Sequence, residues 1–498
     1  MAFNGGDSHQ SHTMFRKDVL FHDTVFHGSV TFAGICCEGS GSFNRCRFGD
    51  YAKTVDFSGA RFIKSVEFLD GMFQGGASFN SMDCGVSASF DSAQFTSSFH
   101  DIDFAGAQFG KMLNLRNATF RGGMYLYGLR CGLVGTLQGA KFQNAYRRVE
   151  FSNASFDYQL DCNHTEFAGP THFDGCKFGY GTFWQAKFLD SKHLASFRFA
   201  QVGNNLHLHD ALFAGGLDLE QTKVGGDLDL SRAKVHGHSD FHGTKVRRFR
   251  WGEDFPFDNS TVDLRQCTFE MFAGPETKGV RGRNANSKAR EHARRFLKAQ
   301  HTDFFSRDPY LQMERFYSRG GDDEEAREIY YIGRCHARQN AGDSAGNVQW
   351  SWARGSLDWL LKHLTGYGVK TYRVIPILLI FLAIGTVVFW KCEPEASAGD
   401  RAVQTRLLAV APSKAYTAST VDDLRPAPKL FRRALFSLDL FIPVIEFPFT
   451  EKLKPEGFFT QAYALVHVVV GWLLIPLVIA SITGVLRKEP VEPSEGAG

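Results

Sequence analysis

Large apolar side chains recur at alternating intervals of five and six residues through the first half of the chain. The first series is Phe15, Phe21, Phe26, Phe32, Cys37, Phe43 and Phe48. An amphipathic helix would need intervals of three and four and fewer glycines. The intervals instead predict short strands separated by turns, each placing one large side chain in a shared interior. This pattern favours a right-handed parallel β-helix.

The series repeats every 47 residues. The second and third copies are Phe62, Phe68, Phe73, Phe79, Cys84, Phe90, Phe95 and Phe109, Leu115, Phe120, Leu126, Cys131, Leu137, Phe142. The fourth copy is predicted to use Phe156, Cys162, Phe167, Phe173, Phe178, Trp184 and Leu189. We therefore predict a mainly β chain with a tail at 1–9 and a β-helix at 10–272. Two 11-residue units per coil would give about eleven coils and a rod of roughly 50 Å.

A small residue precedes many of the phenylalanines by two positions, as in SGARF, AGAQF, NASF and WQAKF. After residue 199 an 11-residue interval continues, most clearly in GGLDLEQTKVGGDLDLSRAKV. These units resemble the pentapeptide-repeat superfamily and its 11-residue relatives over about half of the chain. The resemblance implies a β-helix whose coils stack through their backbones. The family repeats in fives, whereas this chain alternates between fives and sixes.

Composition and charge narrow the possible partners. The chain has 48 Phe, of which 35 precede residue 273, and its net charge of +3 excludes an acidic mimic of nucleic acid. Its first residues lack the charged-then-apolar pattern of a secretory signal. The ten cysteines contain no CxxC pair. We therefore expect the N-terminal part to lie in a reducing cytoplasm.

Cysteine and histidine are the residues of the repeat that could carry chemistry. Cys37, Cys84 and Cys131 share one position in successive copies, so they form either a redox-active thiol ladder or part of a packed core. Cys46, Cys176 and Cys267 occupy a position that Ala fills elsewhere, which favours packing.

Imidazoles at alternate positions of a strand lie on one face, where two or three could bind a metal. The residues with this spacing are His236, His238 and His242, with His207 and His209 further upstream. The sequence places no carboxylate or Cys at a fixed interval from them. We therefore expect a solvated polar face with no metal or cofactor, and regard Asp227, Asp229 and Asp240 as outward residues of the repeat.

Known catalytic motifs do not identify an active site. The chain lacks GxxxxGK[ST], HExxH and a GxGxxG flanked by a strand. A GxSxG match at 342–346 lies in a polar linker, not at a strand-to-helix turn. We therefore predict no catalytic residues.

A basic stretch begins a linker domain predicted at 278–346. Its cations are Lys278, Arg281, Arg283, Lys288, Arg290, Arg294, Arg295 and Lys298. They could bind anionic lipid or form a solvated helix face, and the sequence favours neither. A helical hairpin follows, opening at Pro309 and turning at Gly320 and Gly321, which we expect to cap the β-helix.

The C-terminal third is predicted to lie in a membrane. Residues 374–390 and 462–486 are free of charge and are predicted to be two transmembrane helices. Basic residues on their outer flanks favour cytoplasmic N- and C-termini, with an extracytoplasmic loop at 391–433 and a cytoplasmic tail at 487–498. A Trp-rich segment at 349–368 is predicted to be an interfacial helix, with a core helix as the alternative.

An apolar segment at 434–449 is too short to cross comfortably, and Pro443 would break it, which favours a re-entrant or interfacial half-helix. This arrangement resembles bacterial pentapeptide-repeat membrane proteins with a channel-like tail. The candidate pore residues are His467, Pro443, Ser437, Asp439 and Glu446. A pore requires an oligomer, because two helices cannot enclose one. The alternative for His467 is a position near the membrane interface, with a hydrogen bond to a neighbour.

Taken together, the sequence predicts a non-enzymatic bacterial inner-membrane protein. Its cytoplasmic β-helix would be a scaffold for a protein partner, and its spans would form an anchor able to assemble as a channel-like homo-oligomer. Membrane lipid is the other expected partner, and nucleic acid is not expected. The alternative is a membrane-associated, oxidoreductase-like enzyme that uses the repeat Cys and His residues.

Overall fold

A computed structural model describes most of the first two thirds of the chain and several helices beyond. The described residues are 13–49, 53–250, 252, 261–273, 283–300, 305–343, 359, 362–364, 366–367, 369–391, 393–394, 429–442, 453–454 and 457–482. The chain divides into two compact units, Met1–Asp343 and Ser344–Gly498. Each unit is described by itself below.

The first unit is a parallel β-solenoid whose short strands form four ladders, numbered in the order in which the chain reaches them. The two-residue strands of ladder 1 are Met14–Phe15, Cys36–Cys37, Arg61–Phe62, Asp83–Cys84, Gln108–Phe109, Arg130–Cys131 and Gln201–Val202. Ladder 2 contains Val19–Leu20, Gly41–Ser42, Val66–Glu67, Ser87–Ser89, Met112–Asn114, Val134–Thr136 and Leu206–His207. Five longer strands run from ladder 1 into ladder 2, namely Ser155–Asp161, Lys177–Thr182, Lys223–Asp229, Lys245–Arg250 and Thr268–Ala273.

The other two ladders are separate sheets of ten and eleven strands. Ladder 3 contains Val25–Phe26, Arg47–Phe48, Met72–Phe73, Gln94–Phe95, Thr119–Phe120, Lys141–Phe142, Glu166–Phe167, Lys187–Phe188, Leu212–Phe213 and Lys234–Val235. Ladder 4 contains Val30–Thr31, Thr54–Asp56, Gly76–Ser78, Ile102–Asp103, Met124–Tyr125, Val149–Glu150, Thr171–His172, Ala195–Ser196, Gly216–Asp218, His238–Asp240 and Thr261–Asp263. The coil is therefore four-sided, and about eleven turns are stacked as the sequence predicted.

The strand register explains the 47-residue period. Met14 pairs with Cys36 after 22 residues, and Cys36 pairs with Arg61 after 25. One 47-residue copy is thus two coils, of which the second carries a longer loop between ladders 3 and 4. After the fourth copy the coils shorten, and Gln201 pairs with Lys223 after 22 residues.

The predicted inward positions of the fourth copy are wrong by one residue after Phe178. Phe156 pairs with Phe178, but Gln159 pairs with Tyr180, so the chain loses one residue at this corner. Phe183 and Phe188 consequently face the interior, whereas Trp184 and Leu189 are exposed. The ring of Phe188 fits the interior because it stacks between those of Phe167 and Phe213, 4.9 and 4.8 Å away.

Stacked aromatic rings fill the interior. The longest column contains Phe26, Phe48, Phe73, Phe95, Phe120, Phe142, Phe167, Phe188 and Phe213, with neighbouring ring centroids 4.5–5.1 Å apart. This spacing follows the distance between hydrogen-bonded strands. Close backbone stacking also requires glycine at one corner, where a Cβ on Gly110 would lie 2.1 Å from the carbonyl oxygen of Gly85.

Three helices follow the last coil: α1 (Arg283–Lys298), α2 (Asp308–Arg319) and α3 (Asp323–Asp343). Phe296 of α1 packs on the interior rings of Phe249 and Phe272 at 5.5 and 5.7 Å. Gln312 of α2 accepts a hydrogen bond from the backbone N–H of Phe269 and donates one to the carbonyl oxygen of Cys267, both at 2.7 Å. These bonds satisfy backbone groups at the edge of the last coil.

The second unit contains the helices α4 (Val374–Val388), α5 (Lys429–Phe441) and α6 (Phe458–Ile482). Short 3₁₀ turns, Thr371–Arg373 and Phe389–Lys391, flank α4, and Glu393–Pro394 pairs antiparallel with Leu453–Lys454. The ring of Phe436 in α5 packs edge-on against Phe389, with centroids 5.2 Å apart.

Among the described residues one helix, and not the two predicted, is long and apolar enough to cross a membrane. It is α6, over Phe458–Ala480. The first predicted span, 374–390, forms the shorter α4, whose 15 residues reach only about 22 Å. The described part of the segment predicted as a half-helix, 434–442, lies mostly in α5, which begins earlier and ends at Phe441. A helix this short does not cross a bilayer.

Several predicted features lie outside the described residues. They are the tail at 1–9, Lys278, Arg281, the GxSxG match at 342–346 apart from its first two residues, most of the segments 349–368 and 391–433, Pro443, Glu446 and the tail at 487–498.

Candidate functional site

The three cysteines of the repeat occupy ladder 1, where they alternate with phenylalanines on successive coils. Cys84, for example, pairs with Phe62 on one side and Phe109 on the other. Its thiol lies 3.1 Å from the carbonyl oxygen of Lys64, and burial raises its pKa to about 11. Cys37 and Cys131 are equally buried, with pKa values also raised by burial. These thiols are therefore part of the core and are not ionised at neutral pH.

The second cysteine set is also buried. Cys176 donates its thiol to the carbonyl oxygen of Phe151 at 3.0 Å, and burial raises its pKa strongly. Burial likewise raises the pKa of Cys267 to about 12. Cys46 has the same kind of environment, beside the carbonyl oxygen of Phe21. Their positions agree with the packing interpretation.

The three histidines with metal-like spacing do not converge on one point. His238 Nδ1 lies 2.8 Å from Thr261 Oγ1, and His242 Nδ1 lies 3.7 Å from a carboxylate oxygen of Glu220. In the part of the chain that is described, His236, His238 and His242 do not form a group whose ligand atoms come together.

A different group does come together on ladder 2. One ligand atom from each of His207, His209 and Asp229 lies within 4.8 Å of the other two. His207 pairs in register with Asp229 on the next coil. Burial lowers the pKa of His209, so its imidazole is neutral at neutral pH. Two imidazoles and a carboxylate can ligate a metal ion or hold a polar ligand.

Carboxylates also stack on ladder 4, where Asp218, Asp240 and Asp263 pair in register on three successive coils. Burial raises the pKa of Asp218 to about 6, and the neighbouring Asp240 contributes to the shift. Burial also raises the pKa of Asp240, with Asp263 adding to the effect. Arg198 partly offsets the charge of Asp218, since its Nε lies 3.5 Å from a carboxylate oxygen.

Two cations of the basic stretch are engaged within the helical cap. Arg290 forms an ion pair with Asp322 at 2.6 Å. Arg294 forms a bidentate ion pair with the buried carboxylate of Glu325, in which Nε lies 2.7 Å from Oε1. Arg295 and Lys298 are exposed on the same helix, whereas the side chains of Arg283 and Lys288 are outside the described part. Arg294 therefore joins α1 to α3, and Arg290 joins α1 to the residue before α3, which leaves fewer cations for lipid.

Of the pore candidates, the structure brings Ser437 and His467 together. Both are fully buried, and His467 Nε2 lies 3.0 Å from the carbonyl oxygen and 3.2 Å from the hydroxyl oxygen of Ser437. Gly385 of α4 makes room for them, because a Cβ there would lie 2.2 Å from Ser437 Oγ. Asp439 is on the same helix and half-buried. His467 thus joins α5 and α6 within one chain.

Comparison of the chain with protein-family models, curated proteins and solved structures gives no match.

Sequence reasoning missed two features of the surface. Asp229 completes the group on ladder 2, and the 22-residue coil length would have placed it beside His207. Phe99 and Tyr146 are 79% and 90% exposed in equivalent loops between ladders 3 and 4. Their 47-residue separation was a signal that they share one edge, but they lie outside the five-and-six pattern.

Proposed function

We propose that the protein is a non-enzymatic, membrane-anchored scaffold whose β-solenoid binds a protein partner, and that the solenoid belongs to the 11-residue class of pentapeptide-type repeats. The solenoid has a filled interior, and α6 is apolar and long enough to cross a membrane. The enzyme alternative has weaker support, because the repeat thiols are buried with raised pKa values.

The surface of α6 carries the proposal. Large apolar side chains point away from the rest of the second unit along most of its length, including those of Leu465, Val469, Trp472 and Leu473. A soluble surface rarely carries so large a continuous apolar area. Lipid would cover these side chains, and the 25 residues of α6 span about 37 Å, enough for a hydrocarbon core.

Charges on the exposed face of α6 test the anchor. We expect Val469→Arg combined with Leu473→Arg to reduce the membrane fraction that resists carbonate extraction several-fold, because two cations near a bilayer centre cost about 5–7 kcal/mol. The matched control changes the same two residues to Ala. Equal resistance of the Arg variant and the wild type would contradict anchoring by α6.

We further propose that the membrane is the bacterial inner membrane and that α4 crosses it as a second span, with both termini cytoplasmic. The two flanking 3₁₀ turns lengthen α4 to about 34 Å. The helix also lies beside α6, where the hydroxyl of Tyr463 donates to the carbonyl oxygen of Phe381 at 3.4 Å. Epitope tags at the two termini should both resist protease in spheroplasts and both be cleaved in inverted vesicles. Tags that report opposite sides would show that α6 crosses alone.

The exposed loop aromatics suggest where a partner binds. Phe99 and Tyr146 project from loops two coils apart, and Arg147 joins these loops by donating to the carbonyl oxygen of Phe99 at 3.1 Å. Exposed aromatic side chains held by a rigid scaffold are typical anchors of protein interfaces. A photo-crosslinking residue at position 99 or 146 should capture one discrete partner in native membranes. The exposed Lys177 on ladder 1 provides the control position, and equal labelling there would contradict a specific site.

Channel formation by a homo-oligomer stays a prediction. His467 and Ser437 pack against each other within one chain, which does not support a pore-lining role for either. Purified protein should conduct ions in planar bilayers and run as an oligomer in detergent if the channel exists. A monomer without conductance would leave the scaffold and anchor alone.

A further inference from the structure

Three side chains on two adjacent coils of the solenoid form a compact donor set. One nitrogen from each of His207 and His209 and one carboxylate oxygen of Asp229 all lie within 4.8 Å of one another. Two imidazoles and a carboxylate are a donor set that first-row divalent metals prefer.

The fold holds these groups at fixed positions. His207 ends its ladder 2 strand and His209 lies in the turn that follows. Both are half-buried, while Leu208 between them is buried in the core. Asp229 lies one coil further along and pairs directly with His207. The backbone N–H of Leu208 donates to the carbonyl oxygen of Asp229 at 2.8 Å, which fixes the separation of the two coils.

The group contains one buried polar atom, His209 Nδ1, that has no hydrogen-bond partner among the described residues. This nitrogen is shielded from solvent, and the ring of Trp184 covers one side at 6.2 Å. Asp229 Oδ1 accepts the backbone N–H of Ser231 at 2.9 Å, while Oδ2 points towards His207 Nδ1 at 3.9 Å. Burying a polar nitrogen without a hydrogen-bond partner lowers the stability of the fold, and a ligand that binds to the nitrogen removes this cost.

The charges around the group limit which ions it accepts. Arg250 Nε lies 3.9 Å from Asp229 Oδ2, but the same guanidinium reaches Asp227 at 3.6 Å. Arg232 pairs with Asp210 at 2.6 Å. The group itself contains one carboxylate and has the guanidinium of Arg250 beside it, so it is a poor site for Ca²⁺ or Mg²⁺, which need several oxygen ligands.

We propose that His207, His209 and Asp229 form a binding site for a divalent transition metal of the zinc class. Each residue supplies one ligand, so a tetrahedral ion keeps its fourth position for water or for a group from a partner. Because the ligands come from two coils, the ion also links those coils to each other. This site is independent of the proposed membrane anchor and of the loop aromatics.

Metal competition on the full-length protein in detergent tests the site. The protein is stripped with chelator, and Zn²⁺ is titrated in competition with a chromophoric chelator. We expect His209→Ala and Asp229→Asn each to remove one equivalent of bound Zn²⁺ or to weaken it at least tenfold. Excess Ca²⁺ and Mg²⁺ should not displace the metal.

The matched control is His193→Ala, which removes an exposed imidazole that pairs with Asp190 elsewhere on the solenoid. It should bind Zn²⁺ like the wild type. A second measurement uses Co²⁺, which should quench the fluorescence of Trp184 in the wild type more than in His209→Ala, with Trp184→Phe as the reference. Equal Zn²⁺ binding by the wild type, His209→Ala and Asp229→Asn would overturn the proposal, whatever metal other histidines bind.

Discussion

Individual phenylalanine rings carry the packing of the solenoid. Phe120 is fully buried, and its ring stacks between those of Phe95 and Phe142 at 4.8 and 4.6 Å. Offset stacked rings contribute beyond their buried area. Each ring therefore supports the coil on either side of it.

We expect Phe120→Ala to destabilise the solenoid by about 3–5 kcal/mol, because it opens a cavity between two stacked rings. The measurement is the denaturant midpoint of the β-sheet circular dichroism signal. Phe99→Ala is the control, since that ring is exposed and its loss should change stability by less than about 0.5 kcal/mol. Similar effects of the two substitutions would contradict the ring-column interpretation.

Asp218 predicts a pH dependence at the residue scale. Burial raises the pKa of Asp218 from 3.8 to about 6, so the folded chain binds this proton more tightly than the unfolded chain. The contribution of Asp218 to stability is therefore full below about pH 4 and falls as the pH rises to about 6.

Asp218→Asn should accordingly raise the unfolding free energy at pH 7 by about 1–2 kcal/mol, after allowance for the lost ion pair with Arg198. The side-chain oxygen that accepts the N–H of Glu220 is retained. Thermal unfolding of both proteins at pH 4 and pH 7 checks this. A variant that is less stable at pH 7, or that differs equally at both values, would contradict the assignment.

At the scale of elements, the exposed backbone edges of the coils are the weak points of a solenoid. Gln300 forms a parallel bridge with Val262 and so extends ladder 4, while Gln312 of α2 covers ladder 1. Such caps remove the free strand edge that would otherwise pair with another chain.

We expect Gln312→Ala to destabilise the last coil by about 2–3 kcal/mol, because it leaves the N–H of Phe269 and the carbonyl of Cys267 without partners. Hydrogen exchange of the 261–273 segment should accelerate, and aggregation should increase on heating. Gln94→Ala on the outer face of ladder 3 is the control and should change neither. Unaltered exchange in Gln312→Ala would show that the edge is held by other contacts.

At the scale of the whole molecule, the solenoid and its cap form a unit with its own core. Every buried residue of the main core cluster lies between Val19 and Ile332, within the first unit. None of the described residues of the second unit belongs to this core. The first unit should therefore fold without the membrane helices.

A chain ending at Asp343 should remain soluble without detergent and retain the β-sheet circular dichroism signal and the unfolding midpoint of the full-length protein. Size-exclusion chromatography and thermal unfolding measure this. The control is a chain ending at Thr268, which removes the cap and most of the last strand and should aggregate. Aggregation of the longer chain as well would contradict an independent first unit.

The sequence periodicity was enough to predict the β-helix of the first unit. The spacing of Phe15, Phe21 and Phe26 reports directly on inward positions, because these half-buried rings pack against the core. The length of α6 was also predictable, since hydrophobic length depends on composition alone. The extent of helix in 374–390 was not, because helix ends depend on turns and on packing with neighbours.

The sequence by itself therefore determined that the chain is a β-helix with a filled interior and an apolar C-terminal helix, because both follow from local periodicity. Only the tertiary structure decided how the four ladders align and that one residue is lost after Phe178. It also placed Asp229 beside His207 and buried His467 against Ser437. The physical reason is register: residues separated by a full coil or by a helix packing become neighbours only when the backbones are stacked, and no local pattern specifies that alignment.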